Sequence, residues 1–304
     1  MFSLPLNEIA APAWQRMSID RYAQLVEAAG GTVLKQGQVW FKQGHRFFYR
    51  PLLPHRKYDL YEARRQITTF GVFQHGVKDD QPHNCYLNSI IFDNLCSYEG
   101  NRVSGGALRN LKEAMKNGVT VRRILDPEEF ESKCYPVYMS AYHRNQYGAD
   151  TRWGAQRRDP EGFTRWTHTI FQFPETIVLG AYARGQLLSF EISWIVEDTL
   201  VLNTIVHSDN GIALRTPDVL LHAWRIAVRD QPGVNIVWDS FMASPGVDEF
   251  KLRRGGRALA LRAYVNINPA TLFLLRHTWP RAYSRIAGRV PDEALPNGRR
   301  MEAA

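Results

Sequence analysis

The chain has 304 residues, 44% of them hydrophobic and 22% charged, enough for one large domain or two modest ones with a sizeable core, which excludes disorder as its main state. A formal charge of +8 and a pI near 9.5 favour an anionic partner such as CoA, tRNA or an acidic surface, although many soluble proteins are this basic without binding a polyanion. Cys85, Cys96 and Cys134 are odd in number and widely spaced, residues 1–8 lack the pattern of a signal peptide, and no run reaches the ~18 apolar residues that span a bilayer. The expected protein therefore has no disulfide framework and no integral membrane segment, and it is cytoplasmic.

In chain order, Ser18-Ile19-Asp20 reads as a helix start, with Tyr22, Leu25, Val26 and Ala29 on one stripe before Gly30-Gly31. Strand-like runs follow at 32–34, 38–42 and 46–50, divided by Gly37 and Gly44 and closed by Pro51 and Pro54. Residues 58–68 are weakly helical and 85–92 read as a strand. Residues 105–116 place Leu108, Leu111 and Met115 on one helical face, with Gly118 as its stop, and a domain junction fits here. A short strand at 119–124 precedes a helix that opens at Asp126-Pro127 and runs to about Arg144.

Three apolar, β-rich runs at 176–183, 186–196 and 199–208 are separated by Arg184-Gly185 and Glu197-Asp198, the pattern of an antiparallel meander. After a loop, Thr216-Pro217-Asp218 reads as a capped helix start, with Leu220, Leu221, Trp224, Ala227 and Val228 as its buried stripe. Pro232-Gly233 stops it. A strand at 234–241, a short helix at 248–253 ended by Gly255-Gly256, and a final strand at 257–267 complete the set. Residues 271–286 form a basic amphipathic segment with Arg276, Arg281 and Arg285, expected to pack on the domain, the alternative being contact with an anionic surface. From Pro291 onward the chain reads as a loose tail.

The order strand, strand, strand, loop, helix, strand, short helix, strand resembles the core of the GNAT fold. Two stretches are similar to the branch that holds the FemAB-like peptidoglycan bridge transferases and related acetyltransferase domains. One is Leu108-Arg109-Asn110-Leu111-Lys112-Glu113-Ala114 followed by Gly118-Val119. The other is Gly246-Val247-Asp248-Glu249-Phe250-Lys251-Leu252-Arg253-Arg254-Gly255-Gly256, with Arg254 where that group carries an aromatic residue. The resemblance covers roughly residues 100–270. It implies an α/β (α+β) fold with a mixed, twisted sheet flanked by helices. The expected division is a degenerate GNAT-like half over 1–104, an acyltransferase domain over 105–270, and a basic helix with a tail over 271–304.

For the site, the resemblance implies that Lys251 lies near the transferred acyl group, with Phe250 as a wall for substrate; a solvated lysine and a core aromatic are the alternatives. A GNAT donor loop lies between the meander and the Thr216 helix, where helix N-termini attract phosphates. Here Ser208-Asp209-Asn210-Gly211-Ile212-Ala213 matches the ordinary loop motif only at Gly211 and Ala213, with Arg215 and Thr216 as further donor contacts. Amine acylation needs a proton acceptor and a group to meet the oxyanion. Glu191, His207 and Asp239 fall on the central strands and are candidates; the alternatives are a solvent-facing strand residue, a capping histidine and a turn residue. Arg109 and Lys112 could meet phosphates or form a solvated face. Tyr142, with His143, Arg144, Tyr147, Asp150, Arg152 and Trp153, could line the acceptor site.

No His-x-x-x-His pair, nucleophile elbow or Walker loop is present, so metal catalysis is not expected and direct transfer is. The leading expectation is an N-acyltransferase with acyl-CoA as donor and a small-molecule or cell-wall-precursor amine as acceptor. Alternatives are a FemAB-like aminoacyltransferase that takes aminoacyl-tRNA, and a non-catalytic GNAT-like module that binds an anionic ligand.

Overall fold

The computed structural model describes residues 14–44, 48–64, 71–93, 95, 103–145, 157–229, 231–242, 245–288 and 302–303. Tyr147, Asp150, Arg152 and Trp153, Cys96, and all of the tail except its residues 302–303 lie outside that set. Elements in chain order begin with β1 (Arg16–Met17), α1 (Ile19–Ala28), β2 (Val33–Gln36), β3 (Val39–Gln43), β4 (Phe48–Pro51), β5 (Lys57–Tyr58) and α2 (Leu60–Arg64). There follow β6 (Val72–Val77), β7 (Cys85–Phe92), α3 (Gly105–Lys116), β8 (Thr120–Arg123), α4 (Pro127–Asn145) and α5 (Pro160–Phe171). The meander is β9 (Ile177–Ala183), β10 (Gln186–Val196) and β11 (Thr199–His207), then α6 (Asp209–Ala213) and α7 (Thr216–Arg229). The chain continues with β12 (Ile236–Phe241), α8 (Pro245–Leu252), β13 (Arg257–Val265), α9 (Pro269–Thr278), α10 (Pro280–Ala287) and β14 (Glu302–Ala303). The fold class is mixed α/β, with sheet flanked by helices.

The chain divides into two compact units, each drawn from separated segments: residues 1–18, 28–30 and 93–237, and residues 19–27, 31–92 and 238–304. In the first, β8, β9, β10 and β11 pair side by side and antiparallel, and β1 adds a short parallel contact at the end of β10. Arg184 and Gly185 both take positive φ, 51° and 77°, as a tight two-residue hairpin requires. From Leu187 to Val196 every residue of β10 is buried, so both faces of this sheet are covered. Successive strand residues point to opposite faces. Phe190 meets Phe130 of α4 at 5.6 Å between ring centres, while the Ser189 hydroxyl bonds that of Thr216 in α7, so α4 and α7 cover opposite sides. Phe130, Phe163, Trp166 and Phe190 form the aromatic centre of the α4 side.

In the second unit the strand order is β2-β3-β4-β6-β13-β7-β12, with β5 beside β6 and β14 beside β13. It is also mixed: β4 and β5 run parallel to β6, whereas β13 runs antiparallel to both β6 and β7. Cys85, Leu87, Leu261, Ala263 and Val265 form one buried cluster, and Val39, Phe41, Tyr49, Ala63 and Phe73 another.

The predicted runs coincide with elements to within a few residues, with four differences. The loop expected over 208–215 contains α6, because Ser208 caps it: its Oγ accepts the Gly211 N–H at 3.0 Å. The segment 271–286 is two helices, since Pro280 cannot continue α9. Helix α5 and strands β1, β5 and β6 add elements that the periodicity does not mark. Of the weak helix at 58–68, the described part is β5 followed by α2.

Candidate active site

Lys251 sits in the last turn of α8, and its ammonium donates to Asp239 Oδ1 at 2.7 Å and to Ser240 Oγ at 2.8 Å, both at the end of β12. The pair is shielded, the lysine side chain being 13% and the aspartate side chain 3% exposed. Burial raises the Asp239 pKa above the ordinary carboxylate value, and Lys251 opposes the rise by its charge and its hydrogen bond. The second carboxylate oxygen, Oδ2, is buried and has no hydrogen-bond partner among the described residues. The arrangement therefore combines a fixed cation with a carboxylate of raised proton affinity and an unused lone pair.

The glycine pair of the motif has a mechanical explanation. Gly255 adopts φ 88°, and a Cβ on Gly256 would lie 3.0 Å from both Lys251 O and Ile90 Cγ2. The Gly256 N–H bonds that same Lys251 carbonyl at 3.0 Å. Only a residue without a side chain lets β13 begin so close to the end of α8, which anchors the backbone of Lys251. Phe250 is half-buried, with the Arg254 guanidinium 3.5 Å above its ring centre and bonded to its carbonyl at 2.8 Å. Arg254 thus stacks on Phe250 in the position where the resembling group has an aromatic residue.

In the first unit, the donor-loop residues are differently disposed. Gly211 is buried, and a Cβ there would come within 2.5 Å of the Leu188 carbonyl oxygen and 2.8 Å of the Ser189 and Thr216 hydroxyls. Thr216 is fully buried, its hydroxyl bonded to Ser189. Ala213 and Arg215 face solvent, and Arg215, at φ 61°, lies 3.8 Å from Glu113 of α3. Five backbone N–H groups of this stretch have acceptors: Asp209 in Ser140 Oγ, Gly211 in Ser208 Oγ, Ile212 in Ser208 O, Leu214 in Asn210 O and Arg215 in Ile212 O. A phosphate arriving here would find these donors occupied.

Glu191 is 1% exposed, flanked across the sheet by Leu179 and Ile205 and pointing, like Ser189, toward the α7 side. It is not a solvent-facing strand residue. The His207 imidazole is pushed down to about 3 by burial and then by the charge of Arg144, so it stays neutral and only weakly basic at physiological pH. Arg109 and Lys112 are exposed on α3. Tyr142 is half-buried beneath the Arg158 guanidinium, 4.6 Å from its ring centre. Among the predicted residues the structure joins Lys251 with Asp239, Gly211 with Thr216, and Arg144 with His207 and Asp209.

Three residues were missing from the sequence-based set: Ser240, Ser189 and Asn203. Ser240, next to Asp239 in the sequence, accepts from Lys251 as Asp239 does; Ser189 carries no local signal. Arg144 ties the end of α4 to the end of β11, bonding Asp209 Oδ1 at 2.7 Å and His207 O at 2.9 Å. Asn203 is the extra residue where the β10–β11 register slips, and it is exposed in mid-strand, a position at which bulges often adjoin sites. Beside α6, a groove of about 560 Å³ is lined by Lys133, Ser140, Gln186, Leu187 and Asp209, among others. Among the described residues no group of three or more His, Cys, Asp or Glu side chains is placed to hold a metal ion.

No protein-family model and no curated protein matches the sequence. Solved structures resemble its fold. A C-terminal domain assigned to a lysylphosphatidylglycerol synthetase of Agrobacterium fabrum superposes with a TM-score of 0.54 at 12% identity, over 88% of this chain and 93% of that one. FemX gives 0.53 at 9% identity, over 90% and 98%. A conserved protein of unknown function from Bacteroides thetaiotaomicron gives 0.53 at 10% identity, over 86% and 93%. At such identities the likeness concerns the fold alone, and that fold is GNAT-like.

Proposed function

We propose that this chain is an acyltransferase that moves an acyl group directly onto an amine, with Lys251 and Asp239 as its charge-handling centre. The observation that carries the reading is the shielded Lys251 ammonium held between Asp239 and Ser240 within a GNAT-like fold. When an amine attacks a carbonyl carbon, negative charge grows on the oxygen while the nitrogen must shed a proton. A preorganised cation stabilises the oxygen, and a carboxylate of raised proton affinity accepts the proton. The leaving group departs with the electron pair of the broken bond and takes up that proton.

For the donor, the filled loop favours an aminoacyl-tRNA ester over an acyl-CoA thioester. Five of the N–H groups that could cradle a CoA pyrophosphate are already bonded, four within the loop and that of Asp209 to Ser140, and Gly211 and Thr216 are turned inward. The +8 charge and the exposed Arg109 and Arg215 suit a polyanion. One fold neighbour is assigned to a lysylphosphatidylglycerol synthetase, so lipid amines join small-molecule and cell-wall-precursor amines among the acceptors to try.

The test is a transfer assay with labelled aminoacyl-tRNAs and labelled acyl-CoAs against a panel of amines, using wild type and Lys251→Met. Turnover with aminoacyl-tRNA, lost in Lys251→Met, is expected, with tRNA binding that weakens steeply as salt rises. Turnover with acyl-CoA, accompanied by a raised melting temperature in its presence, overturns the donor assignment and leaves acyl transfer standing. Ligand binding without turnover from either donor overturns the enzyme reading in favour of a binding module.

A further inference from the structure

Helix α9 reads Pro-Ala-Thr-Leu-Phe-Leu-Leu-Arg-His-Thr, a composition that ordinarily goes inside a protein, yet none of its residues is fully buried. Its register is firmly set: the Asn268 side chain accepts the Ala270 N–H at 2.9 Å, and Leu272 packs on the Cys85–Leu261 cluster, as does Ile286 of α10. Away from that docked side stand Phe273 and Leu274, and Trp279 caps the C-terminal end of the helix; the three are 63%, 59% and 68% exposed within seven consecutive positions. Single exposed leucines are common, but three large apolar side chains so close together mark an interaction surface.

The sequence of the α9–α10 segment carries charge of one sign only. Residues 269–288 contain Arg276, Arg281, Arg285 and His277 and no aspartate or glutamate. Arg276 is exposed, and its guanidinium lies 6.0 Å from the Tyr283 ring centre. A symmetric contact with a second copy would bring like-charged arginines together, which argues against self-association. A bilayer rich in anionic lipid matches both features. Trp, Phe and Leu settle at the boundary of headgroups and acyl chains, while arginine is attracted to the lipid phosphates. No described helix is long and apolar enough to cross a membrane, so the contact would be peripheral.

We propose that the α9–α10 hairpin docks the protein on the surface of an anionic membrane, with Phe273, Leu274 and Trp279 inserted at the headgroup level. The experiment is co-sedimentation of the full chain with phosphatidylglycerol-containing and pure phosphatidylcholine vesicles at low and high salt. It is repeated with Phe273→Ser/Leu274→Ser/Trp279→Ser and with Arg276→Glu. These side chains are exposed, so unchanged circular dichroism and melting temperature are expected and verify that the variants fold. Binding to phosphatidylglycerol vesicles should exceed binding to phosphatidylcholine and fall with salt. It should drop about tenfold or more in the triple variant, the ratio that roughly 1.4 kcal/mol of lost interaction corresponds to. Equal binding to both vesicle types, no binding to either, or retention by the triple variant overturns the proposal. So does a concentration-dependent dimer of the wild type that the triple variant abolishes, since the patch would then be a contact between copies.

Discussion

Replacing Lys251 by methionine keeps most of the side-chain stem and removes the ammonium. The Asp239 carboxylate, 3% exposed, then loses the cation 2.7 Å from Oδ1 while its Oδ2 already lacks a hydrogen bond. Removing one partner of a buried pair costs about 3–5 kcal/mol, and the 13% exposure of Lys251 places the expectation toward the lower figure. The loss should depend on pH in a definite sense. Burial already raises the folded-state pKa of Asp239 and Lys251 restrains it, so the variant's carboxyl holds its proton more tightly still. A carboxyl with a raised folded pKa favours the folded state most when protonated. The deficit should therefore be large at about pH 8 and shrink as the solution is brought toward about pH 5. Lys251→Met/Asp239→Asn, which buries no charge, should recover most of the stability but none of the transfer activity. Urea unfolding of the three proteins at both pH values, with the transfer assay alongside, provides the measurement. A Lys251→Met protein as stable as wild type at about pH 8, or a deficit equal at both pH values, would refute the shielded pair; a folded double variant with full activity would refute its chemical role.

Gly256→Ala brings a Cβ to 3.0 Å from Lys251 O and Ile90 Cγ2, so a loss of about 1–3 kcal/mol in denaturant unfolding is expected, with reduced activity from the displaced lysine. Gly211→Ala is more severe, because the rigid Leu188 carbonyl would lie 2.5 Å away; a stability loss at least as large as that of Gly256→Ala is the expected result. His207 and His222 are pushed down to about 3 and about 4 by burial, so the unfolded chain binds protons that the folded one refuses. Stability should decline as pH falls below about 6.5, and a folded His207→Asn protein should show a shallower decline in melting temperature. Glu129 is pushed down to about 2, first by its hydrogen bond from Arg122, and contributes stability that is present above about 4.5 and lost as pH falls through about 2. Glu129→Gln should remove that acid-sensitive component, seen as a flatter stability profile across the same window.

Periodicity and punctuation in the sequence determined the element types along most of the chain, because strand and helix repeats and the demands of a two-residue turn are local properties. Arg184-Gly185 and Thr216-Pro217-Asp218 mark their boundaries without reference to anything distant. Helix α5 also has a local start, Asp159 capping Pro160-Glu161, but the sequence reading passed over it. Strand β6 was harder, since its buried Gln74 and His75 interrupt the apolar alternation and its neighbours β4 and β13 lie far away along the chain. The site divides in the same way. The motif around Lys251 is a local string, and Asp239 stands at a strand end that the sequence marks. That Lys251 binds Asp239, that Glu191 is buried, that His207 is held neutral and that the donor-loop N–H groups are already bonded were decided only by the tertiary structure. Each depends on which distant groups exclude water or supply a partner, and those long-range contacts leave no trace in the spacing of neighbouring residues.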